Sequence, residues 1–373
     1  MMKEVLITGG AGFIGSHLCD ELLRKGYNVK VLDNLSEQVH GRDRQRPEYL
    51  DPSVELIIGD VRDAEAVGKA LENTDIVYHF AAKVGVGQSM YEIAGYTDVN
   101  NTGTAVLLEA LIKKPVEKLI VASSMSVYGE GLYKKTDGEI IPGFERKLDD
   151  LRQGKWELYD EKNNVLHPVP TNEEKAASLS SVYALSKFDQ ERLCLLTGRS
   201  YGIPVTALRF FNVYGTRQAL SNPYTGVLAI FASRLLNGNK PLVYEDGNQK
   251  RDFVNVKDVA RACVLACERS ETNGEVINIG SGKAYPIVEI AGRLASVMNM
   301  PELKPVITSN YRAGDIRHCY SDISKAKHLL GYSPEVDLET GLKELTDWLS
   351  RQQAVDGFET AGRELESRGL IVK

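Results

Sequence analysis

The stretch TGGAGFIG, residues 8–15, directly follows a short apolar run and precedes a helical pattern that begins near Ser16. In this context Gly9 permits a tight turn, Gly12 lets the backbone approach a pyrophosphate, and Gly15 lets the helix pack closely on the strand. The N-terminus of the helix favours the negative charge of the phosphates. Three spaced glycines alone are a weak signal, so the flanking strand and helix carry the prediction of a dinucleotide site.

A carboxylate follows where such a site needs one for the adenosine ribose. Asp33 ends the second apolar run, eighteen residues after Gly15, and a carboxylate there accepts hydrogen bonds from the ribose diol. Its charge also repels a 2′-phosphate, so the sequence predicts NAD rather than NADP as the cofactor. The basic residues at positions 40 to 46 are interpreted as loop charges.

Short apolar runs alternate with helical patterns as far as Phe210, which is typical of a parallel sheet with helices on both faces. We predict an α/β fold in which residues 1–208 form a Rossmann-type doubly wound parallel sheet with an insert at about 130–178. Residues 209–350 are predicted to form a smaller, mixed α/β C-terminal substrate domain, with some segments returning to the first domain. The polar tail at 351–373 receives no function.

Composition limits the kinds of partner. Of the 373 residues 43% are hydrophobic and 26% charged, with a net charge of -6 and no basic stripe interleaved with aromatic residues, so we expect no nucleic-acid partner. No run approaches the roughly 18 apolar residues of a membrane span, and five scattered cysteines fit free thiols in a reducing compartment. We therefore expect a cytoplasmic protein without membrane contact. We also expect no metal, because Cys263 and Cys267 have no further ligand nearby in sequence.

Reaction chemistry is indicated by Tyr183 and Lys187, which lie four positions apart in a helical pattern and so share one face of a helix. A tyrosine keeps its proton to about pH 10, so it is a poor base unless a lysine ammonium and an oxidised nicotinamide stabilise its phenolate. Ser123 and Ser124 end a predicted strand about sixty residues earlier, where a hydroxyl can hydrogen-bond the same substrate oxygen. This combination predicts hydride transfer coupled to proton transfer by Tyr183.

Two other strand ends lie at the edge where an open parallel sheet binds its ligand. The stretch Gly59-Asp60-Val61 follows one strand, and Phe80-Ala81-Ala82 follows another. Small residues at these places let a nucleotide lie close to the backbone. His79 is interpreted as a packed strand-end residue rather than as an acid or base.

The assembled motifs resemble those of the extended short-chain dehydrogenases that act on nucleotide sugars, over about residues 3 to 350. The motifs are TGGAGFIG at 8–15, GDV at 59–61, SSMSVYG at 123–129, YALSK at 183–187, RFFNVYG at 209–215, RDFVNV at 251–256 and NIGSG at 278–282. In this order they are together far more specific than any one of them alone.

The resemblance implies roles for individual residues, with Ser124, Tyr183 and Lys187 as the catalytic set. The motifs and the resemblance place the following residues around NAD: Gly9, Gly12, Phe13, Ile14, Gly15, Asp33, Asn34, Asp60, Val61, Phe80, Ala81, Ala82, Asn100, Ser123, Tyr183 and Lys187. The residues expected to hold a nucleotide-diphosphate sugar, linked to dTDP or UDP, are Val86, Met125, Ser126, Asn212, Val227, Arg251, Arg312 and Cys319. The planar guanidinium of the two arginines suits a diphosphate, with a structural ion pair as the alternative for each.

Within the family, the two residues after the serine hydroxyl, here Met125 and Ser126, distinguish between types of reaction. Dehydratases of the family carry Asp-Glu there and decarboxylating relatives a glutamate, whereas Met125 and Ser126 can serve as neither acid nor base. The resemblance therefore implies an epimerase in which Tyr183 takes the proton of the sugar 4-hydroxyl, a bound 4-keto sugar forms, and the hydride returns to the opposite face. A net NAD-dependent oxidoreductase or dehydratase is the alternative. A non-catalytic NAD sensor conflicts with the intact Tyr183 and Lys187.

Two stretches bear on the substrate. VGVGQSMYE at 84–92 and SMSVYGEGLY at 124–133 are most similar to those of dTDP-L-rhamnose 4-epimerases, which implies conversion of dTDP-L-rhamnose to dTDP-6-deoxy-L-talose. A 4-epimerase of UDP-glucose and UDP-galactose or of UDP-glucuronate is the alternative. The small side chain of Cys319 is expected to leave room in the sugar pocket.

The sequence also bears on the insert at 130–178 and on the oligomeric state. The insert, with Trp156 and Tyr159, is expected either to arch over the sugar site or its rim, or to be a surface excursion. Members of the family pair through helices that correspond to Thr102 to Lys113 and Tyr183 to Arg199, so we expect a homodimer.

Overall fold

A seven-stranded parallel sheet forms the centre of the computed structural model, which describes residues 2–222, 224, 226–312 and 314–372. The described strands are β1 Glu4–Thr8, β2 Asn28–Asp33, β3 Glu55–Ile58, β4 Ile76–His79, β5 Lys118–Ser124, β6 Leu132–Lys134, β7 Ile140–Pro142, β8 His167–Val169, β9 Val205–Phe210, β10 Asn212–Tyr214, β11 Leu242–Val243, β12 Lys250–Arg251, β13 Phe253–Asn255, β14 Val276–Ile279, β15 Tyr285–Pro286, β16 Val306–Ile307, β17 Tyr311–Arg312, β18 His318–Cys319 and β19 Ile371–Val372.

Helices cover the sheet and build a second layer beside it. The described α-helices are α1 Phe13–Arg24, α2 Glu37–His40, α3 Ala64–Ala70, α4 Val86–Ser89, α5 Ile93–Thr97, α6 Gly103–Lys113, α7 Leu148–Arg152, α8 Val182–Tyr201, α9 Val227–Leu236, α10 Val256–Glu268, α11 Ile287–Val297, α12 Ser324–Leu330, α13 Leu338–Leu349 and α14 Phe358–Ser367. A π-helical stretch, Asp98–Thr102, leads into α6. None of these described helices is both long and apolar enough to cross a membrane.

The strand order across the main sheet is β14-β9-β5-β4-β1-β2-β3, and all neighbours are parallel. The chain therefore runs from β1 outward in one direction and from β4 outward in the other. This confirms the predicted Rossmann-type doubly wound sheet. The loops after β1 and β4 diverge at the reversal, which is where such sheets leave a crevice for a ligand.

Apolar burial on both faces fixes the sheet, since every residue of β4, β5 and β9 is buried. On one face Leu18 and Leu22 of α1 pack in the same cluster as Val259 and Cys263 of α10, and each fully buried leucine contributes about 1.5–3 kcal/mol. Both α10 and β14 come from beyond residue 208 and yet belong to the sheet layer. The division into two domains at residue 208 stays a prediction.

The C-terminal layer has a core of its own. Helices α9, α11 and α13 share one apolar cluster that includes Phe231, Ile290 and Leu345. After α13 the chain continues into α14 and then β19, which pairs antiparallel with β17. The segment from 351 to 372 is therefore folded against this layer.

The insert at 130–178 folds on a three-stranded sheet, β7-β6-β8, with a small core of Tyr133, Leu158 and Leu166. Buried charges fasten it to the C-terminal layer. Arg146 donates to Glu245 at 2.8 Å and 3.0 Å, and the fully buried Arg317 contacts both Glu157 of the insert and Glu245. Removing one partner of such a buried ion pair costs about 3–5 kcal/mol, so the network holds the insert in place.

Candidate active site

A cavity of about 420 Å³ opens where the crevice of the main sheet meets the C-terminal layer. The sheet layer contributes residues that follow β1, β4 and β5 and the start of α8. The C-terminal layer contributes α9, the short strands β11, β12 and β17, and the beginning of α14. Among the lining residues that the sequence predicted are Phe13, Ile14, Val86, Ser124, Met125, Ser126, Tyr183, Asn212, Val227, Arg251 and Arg312.

The glycine turn between β1 and α1 has no room for side chains. Gly9 has φ +71, and a Cβ added there would lie 2.8 Å from the backbone nitrogen of Ala81. A Cβ on Gly15 would lie 2.6 Å from the Cα of Gly10. The turn therefore lies directly against the loop after β4, and the first amide groups of α1 are left to bind an anion, as expected for a pyrophosphate.

Asp33 lies at the end of β2, beside the turn. Its carboxylate accepts hydrogen bonds from the amides of Ala11, at 3.1 Å, and Leu35, at 2.9 Å. Burial raises the pKa of this carboxyl, while the two amides and the nearby His40 act in the opposite direction. The donors of the turn and the acceptor at Asp33 together fit the pyrophosphate and ribose of NAD.

The next strand end is organised by Asp60, which accepts a hydrogen bond from Asn34 at 2.9 Å. Arg62 holds the pKa of the Asp60 carboxyl well below its usual range. Val61 is buried, and a Cβ on Gly103 of α6 would lie 2.6 Å from a Val61 methyl group. These residues form the floor of the crevice beyond β3.

The loop Phe80-Ala81-Ala82 after β4 is fixed by buried polar groups. The Thr8 hydroxyl accepts a hydrogen bond from the Ala81 amide at 3.2 Å. Asn100, in the π-helical stretch, accepts from the Lys83 amide at 2.7 Å and donates to the Ser186 hydroxyl at 2.9 Å. Asn100 thus ties this loop to α8.

His79 is a packed strand-end residue, which confirms its interpretation from the sequence. Its Nδ1 lies 2.8 Å from the Thr8 hydroxyl and its Nε2 lies 2.8 Å from the Thr104 hydroxyl. Burial lowers the pKa of this histidine to about 3, so the ring is neutral at physiological pH. It orients the end of β4 and stays outside the lining of the cavity.

Ser124, Tyr183 and Lys187 come together where β5 ends and α8 begins. Tyr183 lies in the first turn of α8, whose start is capped by the Ser181 hydroxyl accepting from the Ala184 amide at 3.1 Å. The ring of Tyr183 packs edge-on against that of Tyr96, with centroids 6.4 Å apart. Lys187 lies one turn further along, buried, and donates to Gln190 Oε1 at 2.6 Å.

The sequence predicts that Lys187 and an oxidised nicotinamide together lower the pKa of Tyr183, and the side chains alone act as follows. Burial raises the pKa of the Tyr183 phenol, and a hydrogen bond with Ser124 is the opposing influence. Burial lowers the pKa of Lys187 to about 8. Burial therefore favours the neutral forms of both side chains, and the positive charge of an oxidised nicotinamide would act on Tyr183 in the opposite direction.

Ser123 and Ser124, although adjacent, face different surroundings. Ser123 donates to the Glu191 carboxylate at 2.6 Å, and that carboxylate is paired with Arg209 at 2.7 Å. Ser124 Oγ accepts from the amide and the hydroxyl of Ser126, at 3.1 Å and 2.9 Å. The Ser124 hydroxyl hydrogen is thereby left to be donated into the cavity. Ser123 has its side chain in a structural ion-pair network.

Polar groups for a substrate line the C-terminal side of the cavity. Asn212 Oδ1 is buried and has no hydrogen-bond partner among the residues that the structure describes. Arg251 is held by the carbonyls of Arg317 and Ile316, at 2.9 Å and 2.6 Å. Arg312 forms a two-point ion pair with Asp315, at 2.9 Å and 3.1 Å.

Two predicted features do not reach the cavity. Cys319 is 1% exposed and packs against Met125 and Phe211, which themselves line the cavity. It stays behind them because Thr171 of the insert covers its strand β18. Residue 316, an isoleucine, lines the cavity at that place instead. The insert contributes none of the described lining residues, although its Arg146 donates to Glu245 and to the carbonyl of Asp315, which both line the cavity. Both of its predicted arrangements, over the rim or as a surface excursion, stay predictions.

Sequence reasoning missed several lining residues that lie on short or late elements. They are Ser181, Tyr224, Tyr244, Asp315 and Phe358. Tyr244 directly follows strand β11, which has only two residues and no alternating pattern. Phe358 lies in the tail to which the sequence assigned no function. Only Asp315, three residues after Arg312, carried a recognisable signal for an ion pair.

The doubly wound sheet and the glycine turn define an α/β dinucleotide-binding protein, with Ser124, Tyr183 and Lys187 gathered at the end of the crevice. The sequence model of the NAD dependent epimerase/dehydratase family matches residues 5–148 and 157–280, and the chain belongs to that family. The protein is accordingly an enzyme of the NAD-dependent nucleotide-sugar epimerase family. The predicted family and the predicted cofactor, NAD, are confirmed.

Individual relatives match nearly the whole chain. It is 36% identical to the dTDP-L-rhamnose 4-epimerase of Burkholderia thailandensis, over 94% of this chain and 96% of the relative. The crystal structure of a Thermotoga maritima UDP-glucose 4-epimerase with UDP-glucose has a TM-score of 0.76 at 33% identity, covering 93% of this chain and 99% of that one. A Bacillus cereus UDP-glucuronic acid 4-epimerase in complex with UDP-glucuronic acid and NAD has a TM-score of 0.76 at 29% identity, with the same coverage.

A Gly9→Ala substitution tests the glycine turn. The added methyl group meets the Ala81 backbone in a left-handed conformation, so we expect the unfolding free energy to fall by about 1–3 kcal/mol and the affinity for NAD to fall about tenfold or more. Urea unfolding measures the free energy of unfolding, and calorimetry measures the affinity for NAD. Gly26→Ala is the matched control, because Gly26 has φ +85 with open space around it. Unchanged NAD affinity in Gly9→Ala would contradict the assignment.

Proposed function

We propose that the protein is a nucleotide-sugar 4-epimerase whose substrate is dTDP-L-rhamnose and whose product is dTDP-6-deoxy-L-talose. The observation that carries the proposal is that Ser124 and Tyr183 line the same cavity as Asn212, Arg251 and Arg312. Hydroxyl chemistry and diphosphate recognition thereby belong to one site. The similarity to the Burkholderia dTDP-L-rhamnose 4-epimerase supports this choice of sugar.

When bound, NAD supplies a place for a hydride to be taken from the sugar carbon and given back. The side chains manage the proton of the sugar hydroxyl. Tyr183, once deprotonated, takes that proton on its phenolic oxygen, and it returns the proton when the hydroxyl is formed again. Ser124 donates its hydrogen to the same oxygen, because the Ser124 oxygen is already held by two groups of Ser126.

The two arginines and Asn212 fit the diphosphate of the substrate. Backbone carbonyls orient Arg251, and Asp315 orients Arg312, so both side chains are positioned before a substrate binds. A guanidinium and a phosphate form strong, two-point hydrogen bonds. The Asn212 amide oxygen, which has no hydrogen-bond partner in the described part of the chain, is an acceptor for a sugar or ribose hydroxyl.

The surroundings of Ser124 favour epimerisation over elimination of water. Met125 is almost fully buried and carries no ionisable group, and the Ser126 hydroxyl donates to Ser124. No carboxylate stands at either position to remove a carbon-bound proton or protonate a leaving hydroxyl. Gly85, Val86 and Gly87 line the same cavity as Ser124.

The best-supported alternative substrates are UDP-glucose and UDP-galactose, or UDP-glucuronate, because relatives of known structure act on UDP-linked sugars. We further propose a homodimer formed through α6 and α8. The large apolar side chains of Leu185 and Leu196 on α8 are 46% and 42% exposed in the single chain, and pairing would bury them. Light scattering on the purified protein tests this assembly.

The experiment for the proposed function is incubation of the purified protein with dTDP-L-rhamnose, UDP-galactose and UDP-glucuronate in separate reactions without added NAD. We expect dTDP-6-deoxy-L-talose to accumulate, as followed by proton NMR of the sugar ring. Configuration change only with a UDP-linked sugar would replace the substrate and keep the reaction. In parallel reactions to which NAD is added, reduction of that NAD without any change of configuration would show a net oxidoreductase and refute the proposal.

A further inference from the structure

We propose that Phe358, beside Tyr244 at the end of the cavity, is a binding residue for the nucleotide base. This inference rests on the proposed function, because it takes the substrate to be a nucleotide sugar. Phe358 belongs to the C-terminal segment, defined here as residues 351–372, which follows α13. The segment thereby becomes part of the substrate site.

The C-terminal segment is anchored immediately before Phe358. Asp356 pairs with Arg234 of α9 at 3.2 Å and accepts from Asn239 at 2.8 Å. The Ser233 hydroxyl donates to the carbonyl of Val355 at 3.2 Å. Because these contacts lie on one helix of the C-terminal layer and the loop after it, the position of the Phe358 ring is set by the fold.

Phe358 and Tyr244 present flat apolar surface to the cavity. Their ring centroids are 6.2 Å apart with an angle of 34° between the planes, and both side chains are only half-buried. The guanidinium of Arg234 lies 5.1 Å from the Phe358 ring centroid. A base lying against the remaining ring surface would complete the packing, as bases commonly do on aromatic side chains.

The order of the cavity walls matches the order of the parts of a nucleotide sugar. Ser124 and Tyr183 mark the reacting end. Arg312 comes next, since its side chain lies 3.9 Å from a Cβ added to Gly87 and its guanidinium lies 5.8 Å from the Tyr244 ring centroid. With the diphosphate at the arginine, the base falls on the Tyr244 and Phe358 side.

The C-terminal segment also contacts the strand that carries Arg312. Residue 371 pairs with Arg312 in the antiparallel β17 and β19 ladder, and Leu365 of α14 lies 3.4 Å from a Cβ added to Gly87. Truncation of the segment would therefore disturb both the diphosphate site and the sugar site. A point substitution at Phe358 is needed to isolate the base.

The test measures binding of UDP and dTDP, free of any sugar, to the NAD-containing protein by calorimetry. We expect Phe358→Ala and Phe358→Leu to raise the Kd for both nucleotides about tenfold, the scale of one base-aromatic stack, and Phe358→Trp to bind as the wild type does. Val355→Ala, a change at a 72% exposed side chain of the same segment, should leave the Kd unchanged. The NAD content of every variant reports that the sheet layer has folded.

The outcomes separate this inference from the function on which it rests. If the wild type binds UDP or dTDP and Phe358→Leu binds it equally well, the inference is wrong and the proposed function stands. If the wild type binds neither nucleotide, the nucleotide-sugar substrate itself is refuted, and the role of Phe358 falls with it. For the nucleotide sugar that is turned over, support further requires a raised KM with an unchanged kcat in Phe358→Leu.

Discussion

A Tyr183→Phe protein is expected to bind NAD and to lose activity by about 10²–10⁴-fold, the range that general acid-base catalysis contributes. The substitution removes one hydroxyl group and keeps the ring, which packs against Tyr96. The Ser124 hydroxyl remains at the site but cannot accept a proton at neutral pH, so nothing replaces the lost base. The loss should therefore appear in kcat and hardly in KM.

The matched control for this prediction is Tyr201→Phe, on the same helix. Tyr201 is 58% exposed at the last turn of α8, so loss of its hydroxyl should change neither kcat nor thermal stability. Initial rates, with NAD content measured on the same samples, give the comparison. A Tyr183→Phe protein with more than about a tenth of wild-type kcat would contradict the role of the phenol as proton acceptor.

The sheet could be predicted from the sequence because its determinants are local. Strand β1 ends at Thr8, where the glycine stretch begins, and strand β9 ends at Phe210, as the apolar runs predict, because strands covered on both faces carry mostly apolar residues. The glycine turn could be predicted equally well, because Gly9 has a left-handed backbone and Gly15 lies against Gly10 of the same turn. Helix α8 extends two residues beyond the predicted Arg199, up to the left-handed Gly202 that ends it.

The rest of the site depends on contacts between distant segments, which leave no periodic pattern. Asn100 acts through the Lys83 backbone and Ser186, and nothing in the sequence around it shows these partners. Cys319 seemed suited to a pocket by size, yet its strand is buried under Thr171. Phe358 reaches the cavity only because Asp356 is bound by Arg234.

Protonation states were the least accessible, because burial decides them. A spacing of four residues correctly put Tyr183 and Lys187 on one face of α8, and we expected the ammonium and an oxidised nicotinamide together to lower the pKa of the phenol. The fold directs Lys187 to Gln190, and burial by itself raises the pKa of Tyr183 and lowers that of Lys187. Burying the Lys187 ammonium at the active site therefore lowers the free energy of unfolding at neutral pH.

This cost makes a second large effect measurable, in a Lys187→Met protein. We expect kcat to fall by about 10²-fold or more, because the charge that helps to orient and activate the site is removed. Loss of the donor to Gln190 Oε1 also destabilises the variant by a constant amount at every pH. The informative quantity is therefore the difference in unfolding free energy between wild type and variant as the pH changes.

The sign of that difference follows from the two pKa values of Lys187, which are about 8 in the folded protein and 10.5 in an ordinary lysine. Between these pH values the unfolded wild type binds more protons than the folded one, so the wild type gains stability as the pH rises. The gain relative to Lys187→Met should total about 3 kcal/mol by pH 10.5. Urea unfolding of both proteins at several pH values measures it, with titration of all other groups cancelling. The exposed Lys114→Met serves as the control for loss of a charge, and a pH-independent difference between wild type and Lys187→Met would show that Lys187 is not buried as a charged group.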